Sequence, residues 1–187
     1  LLMRIMKYAS NKRIVEAGSG AAANSIFLAN QGFEITCIDK DHKMIAFAKK
    51  NALSFPVQPT FIKKDIMNLG SGLNFDVAFS HGVLEHFSDE EIIDLINKEL
   101  CIAEYVIFSV PSNFFKTHEA IQGDERFMSH SQWRKIIKKS NGKLIEPFSY
   151  FYDSSELRIK LGKALSKITF GIFPFKKPYL GFVIGGE

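Results

Sequence analysis

Four groups of residues in this chain join chemistry-bearing side chains to backbone freedom. The stretch RIVEAGSGAAA, residues 13–23, sets Glu16 just ahead of Gly18, Ser19 and Gly20. Two glycines permit a tight turn and a close backbone approach to a ligand, and the free N–H groups of a helix opening near Ala21 favour a negative group. A phosphate and a carboxylate suit that turn equally. Asp39, nineteen residues after Gly20 and followed by Lys40, is placed to accept both hydroxyls of a ribose, with helix capping as its other use. Asp65, followed by Ile66, can accept an adenine amino group while the apolar side chain covers the ring. The fourth group, SHGVLEHF over residues 80–87, contains glycine and two histidines and can offer backbone carbonyls to an ammonium group. The glycine pattern alone, with Ala23 in its third position, fits a nicotinamide cofactor as well as any other adenosine-bearing ligand.

Each group follows a strand-like segment, and the alternation of strands with helices from Arg13 onward predicts how they are brought together. Residues 14–15 end a first strand, 22–30 form a helix stopped by Gly32, and 33–38 form a second strand. Asp41 caps a helix running to Ala52, with Met44, Ile45, Phe47 and Ala48 turned inward, and a third strand follows at 60–63. Strands at 75–79 and 105–110 flank a helix that Ser88 opens with the spacing of a capping box, and that helix buries Ile92, Ile93, Leu95 and Ile96. A polar loop at 111–128 leads to a helix from Ser129 through Lys139, then to strands near 144–151 and 179–184. This order predicts an α/β fold, Rossmann-like and doubly wound: a mostly parallel seven-stranded sheet with the last strand antiparallel and helices on both faces. In such a sheet ligands bind beyond the carboxyl ends of the strands, where the strand order reverses. All four groups are predicted to lie there.

At 187 residues the chain is long enough for one substantial core and too short for two ordinary domains, so 1–187 reads as one unit, with 13–110 the ligand-binding core. The net charge of +4 is spread along the chain, the basic runs at 135–139 and 175–177 read as solvated faces, and no nucleic-acid partner is expected. Cys37 and Cys101 sit in or beside apolar runs and read as buried thiols, with no disulfide framework or metal-binding spacing. No apolar run reaches membrane-spanning length, and a reducing cytoplasm is the default expectation. The first residue is leucine, as in a trimmed chain. Residues 156–168 carry apolar side chains at helical spacing with Arg158, Lys160, Lys163 and Lys167 between them. That pattern reads first as a helix packed on the domain, with membrane-surface contact through 156–175 as the less favoured use. No motif speaks to oligomeric state.

Taken in order and spacing, RIVEAGSGAAA, Asp39, KKDIMNL and FDVAFSHGVLEHF resemble the class I S-adenosylmethionine-dependent methyltransferases, in the branch that includes many small-molecule methyltransferases. The resemblance spans residues 13 to about 110 and implies S-adenosyl-L-methionine as cofactor. It implies that Glu16, Gly18, Ser19 and Gly20 hold the methionine part, Asp39 the ribose, and Asp65 with Ile66 the adenine. Ser80 and His81 match the position that receives the methionine amino group. The family often has a third glycine where this chain has Ala22. Glu16 would repel a pyrophosphate but can organise an amino-acid zwitterion through a hydrogen bond or a water.

The sulfonium methyl is already electrophilic, so the protein's task is to align a small-molecule acceptor, with a base nearby where the acceptor is a hydroxyl. His86 and Glu85 lie closest in sequence to the expected crevice and are the candidate base residues. A Glu-His pair there also occurs in metal-binding methyltransferases, but His81 and Gly82 do not complete a ligand set and no metal is expected. The segment SNFFKTHEAIQGDERFMSH, with His118 and Arg126, is the candidate acceptor contact. Two alternatives stand beside methyl transfer. One is a non-catalytic module of this fold that binds a partner or a membrane. The other is a nicotinamide oxidoreductase, which would leave Asp65 without a use and for which no Tyr-x-x-x-Lys pair follows the glycine turn.

Overall fold

The computed structural model describes residues 1–71, 74–113, 123–150 and 179–186. Short apolar segments rich in Ile, Val and Phe form strands β1 (Arg13–Ala17), β2 (Glu34–Asp39), β3 (Thr60–Lys63), β4 (Phe75–His81), β5 (Ala103–Pro111), β6 (Gly142–Tyr150) and β7 (Tyr179–Gly186). They make one seven-stranded sheet in the order β3-β2-β1-β4-β5-β7-β6. Pairing is parallel from β3 through β5, while β7 runs antiparallel to both β5 and β6. β6 is an edge strand and carries Pro147 in its interior, which the middle of an inner strand would not tolerate.

Among the described residues five α-helices cover the sheet: α1 (Leu2–Tyr8), α2 (Ala23–Asn30), α3 (His42–Ala52), α4 (Asp89–Leu100) and α5 (His130–Ile137). Side chains alternate across each strand, so two apolar layers form. Ile5, Ile26, Leu28 and Ala48 from α1, α2 and α3 pack with Ile14, Phe79 and Ile107 on one face. Ile92, Leu95 and Ile96 of α4 and Trp133 and Ile136 of α5 pack with Val15, Phe108 and Phe182 on the other. Capping boxes built by Ser88 with Glu91 and by Ser129 with Gln132 open α4 and α5, and the Asp41 carboxylate accepts the Lys43 N–H at the start of α3. No helix among the described residues is long and apolar enough to cross a membrane.

The structure departs from expectation at several points. Helix α1 was not read from the sequence; Ile5 seats it on the sheet, while Arg4 and Lys7 pair with Glu146 of β6. Phe47 faces solvent at 50% exposure, because the buried stripe of α3 runs through Ile45, Ala48 and Ala52. Cys101 is exposed, since α4 ends just before it, whereas Cys37 is buried in β2. α5 ends at Ile137, two residues short of expectation. β4 runs on to His81, so Ser80 and His81 belong to the strand and not to the loop after it. The basic segment 156–175 lies outside the described residues.

Candidate active site

β1 and β4 are neighbours at the reversal of strand order, and a cleft of about 640 Å³ opens beyond their carboxyl ends. The turn after β1 forms its floor. Gly18 and Gly20 have φ of +71° and +51°, values that suit glycine, and the Gly18 and Ser19 amides both donate to the Ile38 carbonyl of β2. A Cβ on Gly18 would lie 2.8 Å from Val83 Cγ2, so the turn and the loop after β4 meet in a contact that only glycine permits. Ala22 also has positive φ, 56°, and precedes α2 in left-handed geometry instead of starting the helix. It borders the cleft, yet it is buried with the α2 face.

The acids predicted to bind a cofactor line this cleft, and each already holds backbone. Asp39 accepts from the Gly20 N–H at 2.8 Å and from the Asp41 N–H at 2.9 Å, which fixes the glycine turn to the end of β2 and leaves further lone pairs on both oxygens. Asp65 accepts from the Met67 N–H at 2.9 Å and opens a short turn in which Ile66 is buried. Glu16 is 3% exposed, and its Oε2 accepts a hydrogen bond from Ser25 Oγ at 2.5 Å. Burial pushes the Glu16 carboxyl up to about 7 against that hydrogen bond. Lys40 also borders the cleft.

The wall formed by the end of β4 and the loop after it holds His81, Gly82, Val83 and His86. His86 Nδ1 lies 2.7 Å from Asp124 Oδ1. A carboxylate only accepts, so Nδ1 carries the proton and Nε2 is left as the acceptor. Asp124 was not singled out as the partner of His86; the two are 38 positions apart, and no local pattern links them.

Three predicted residues stand elsewhere. Ser80 is buried and does not line the cleft, because alternation along β4 turns it to the opposite face from His81. Glu85 is also buried behind the wall; its Oε2 has no partner among the described residues, and burial raises its carboxyl to about 7. Arg126 is a latch and not a cleft residue: its guanidinium donates to the Phe87 carbonyl and to Asp89, and its amide donates to the Glu85 carbonyl. These bonds tie residues 124–126 to the loop after β4 and so bring Asp124 to His86. His118 lies outside the described residues. Among those residues, no cluster of three His, Cys, Asp or Glu side chains is arranged to hold a metal ion.

The cleft suits S-adenosylmethionine on its own chemistry. Ser19 Oγ, in the glycine turn, is buried without a hydrogen-bond partner among the described residues, as a hydroxyl awaiting a ligand would be. Glu16, Asp39 and Asp65 give the lining an acidic excess over the single Lys40, which suits an ammonium and ribose hydroxyls and opposes a pyrophosphate. Glu16 and Ser19 would face the amino-acid end, Asp39 the ribose, and Asp65 with Ile66 the adenine.

Comparison with known proteins agrees with this geometry. The family model of a methyltransferase domain matches residues 14–100, which run from β1 through α4. The ubiquinone biosynthesis O-methyltransferase of Rickettsia akari (strain Hartford) is 24% identical over 178 residues, covering 83% of this chain and 68% of that protein. Its counterpart in Rickettsia bellii (strain OSU 85-389) is 23% identical over 197 residues, covering 93% and 79%. Among solved structures, magnesium protoporphyrin IX methyltransferase from Synechocystis PCC 6803 with bound SAH superposes with a TM-score of 0.70 at 19% identity, over 100% of this chain and 80% of that one.

Proposed function

We propose that this chain is a class I S-adenosylmethionine-dependent methyltransferase and that it methylates an oxygen of a small aromatic acceptor. The observation that carries the oxygen is the His86–Asp124 pair on the cleft wall. The bound cofactor supplies an electrophilic methyl group, so an amine acceptor needs only alignment. A hydroxyl must also lose its proton. His86 Nε2 takes that proton, and Asp124 holds the ring and stabilises the imidazolium. A phenol, with a pKa near 10, gives up its proton far more readily than an aliphatic alcohol does. The relatives named O-methyltransferases support the same nucleophile.

The test incubates the purified chain with S-adenosylmethionine and a panel of catechols, amines and carboxylates, and identifies products by mass spectrometry. A methyl ether is the expected product. His86→Ala is expected to lower its formation by roughly 100-fold or more with unchanged affinity for S-adenosylhomocysteine. Methylation of amines or carboxylates alone overturns the assignment to oxygen.

A further inference from the structure

Ser109 interrupts the apolar run 106–111 of β5, and its hydroxyl is buried in the middle of the sheet. It points to the face that carries Ile107, and it stands in register with His81 of β4 on one side and Gly181 of β7 on the other. Phe148 of β6 continues the same row. Gly181 leaves open the space above β7: a Cβ there would lie 2.1 Å from the Phe148 ring. Tyr150 stacks beside Phe148 and reaches past β7, so that its hydroxyl lies 2.5 Å from Ser109 Oγ and 3.4 Å from His81 Nδ1. Ser109 Oγ lies 3.3 Å from the same Nδ1. Residues from β5 and β6 thus converge on one nitrogen of one β4 histidine, and the Tyr179 ring lies against that histidine with centroids 5.6 Å apart.

His81 lines the cleft, and its Nε2 has no hydrogen-bond partner among the described residues. Burial lowers its pKa, so the ring is neutral near pH 7 and acts as a neutral hydrogen-bonding group. With Nδ1 anchored and the ring plane fixed against Tyr179, the direction of Nε2 is set before any ligand arrives. Such pre-organisation is not needed merely to satisfy Ser109 and Tyr150, whose hydroxyls already pair with each other. The matching to the methionine amino group concerns the backbone at the end of β4; the side-chain geometry points to the other ligand.

We propose that His81 is a substrate-contacting residue, held through Nδ1 by the positioning residues Ser109 and Tyr150, whose Nε2 binds the oxygen-bearing edge of an aromatic acceptor beside the Tyr179 ring. This rests on the reading of the chain as a methyltransferase of aromatic hydroxyls and adds the residue that selects and orients the acceptor. His86 remains the group that takes the proton.

Catechol and S-adenosylhomocysteine serve as separate probes, titrated by calorimetry and by proton–nitrogen NMR of the histidine rings. Catechol added to the wild-type complex with S-adenosylhomocysteine is expected to shift the Nε2 resonance of His81. His81→Ala is expected to weaken catechol binding by about tenfold and leave affinity for S-adenosylhomocysteine within about twofold, while His81→Gln regains part of the loss. Tyr150→Phe and Ser109→Ala are expected to shift the Nδ1 resonance and weaken catechol by about threefold. Affinity for S-adenosylhomocysteine, measured in each variant, reports whether the fold survives. Catechol binding that is unchanged in His81→Ala, or lost in step with S-adenosylhomocysteine, overturns the proposal. Wild-type protein that binds S-adenosylhomocysteine but not catechol overturns this inference alone, and failure to bind S-adenosylhomocysteine overturns the methyltransferase reading beneath it.

Discussion

Glu16 makes cofactor affinity depend on pH in a direction that the structure dictates. Its carboxyl is buried beneath the glycine turn, borders the cleft, and has its pKa raised to about 7 by burial. An ammonium group brought beside it favours the ionised form and pulls that pKa down. Binding therefore releases a proton, and affinity rises with pH through the free-protein value. If the bound carboxyl stays ionised down to pH 6, the fraction of free protein ready to bind changes about tenfold between pH 6 and pH 8, equivalent to about 1.4 kcal/mol. Titration with S-adenosylhomocysteine at those two pH values measures the change. Repeating it near pH 7 in buffers of different ionisation enthalpy counts the released proton, expected to be about half per ligand bound. His81 and Glu85 titrate nearby, so Glu16→Gln is the decisive control: it should bind more weakly near pH 8 and lose most of the pH dependence. An affinity flat from pH 6 to pH 8 in the wild type, or equally steep in Glu16→Gln, refutes the assignment of Glu16 to the ammonium.

Three further outcomes follow from the same geometry. Asp39→Ala removes the acceptor for the Gly20 and Asp41 amides as well as a partner for the ribose, and should weaken S-adenosylhomocysteine by about 1.5–3 kcal/mol in calorimetric titration; unchanged affinity would exclude the ribose contact. Gly18→Ala places a Cβ 2.8 Å from Val83 Cγ2 at a φ of +71° and should lower stability by about 1–3 kcal/mol in urea unfolding. Adding Val83→Ala should recover only the steric part; no recovery would mean that the backbone angle alone sets the cost. Glu99 is buried in α4 with neither oxygen paired among the described residues, and burial raises its carboxyl from 4.5 to about 8. For an acid raised in this way, the stability it contributes is full below about pH 4.5 and is lost as pH rises through about 8, on the order of 3 kcal/mol by pH 7. Glu99→Gln should flatten that decline between pH 5 and pH 8; an identical slope in both proteins would show that Glu99 does not titrate as a buried acid.

What could be read from the sequence and what could not divides by range of contact. The glycine turn, Asp39 and Asp65 were legible because each acts within a few residues of a strand end, where composition and spacing carry the geometry. The strands, too, announced themselves as apolar runs, and Ser88 and Ser129 marked two helix starts through their own capping partners. Helix α1 gave no such signal: its start has no side-chain cap, and only packing of Ile5 on the sheet and pairing with Glu146 place it. Phe47 was misread because helical spacing alone does not say where an apolar stripe ends. Arg126 read from the sequence as an acceptor contact and became a latch once Phe87 and Asp89 were brought beside it.

The proposed acceptor side of the cleft depends on such distant pairings almost entirely. His86 meets Asp124 across 38 positions, Ser109 meets Tyr150 across 41, and Tyr150 meets His81 across 69. None of these separations is a motif, because the sheet order, and not the spacing, creates the contact. The cofactor side is a single turn with its strand ends, which fixes it locally; the acceptor side is assembled from four strands and a loop, so each strand can change its contribution without disturbing the turn. The same frame can thus hold one cofactor while its acceptor changes, and in this chain the polar groups at that variable edge are His81, Ser109, Tyr150 and the His86–Asp124 pair.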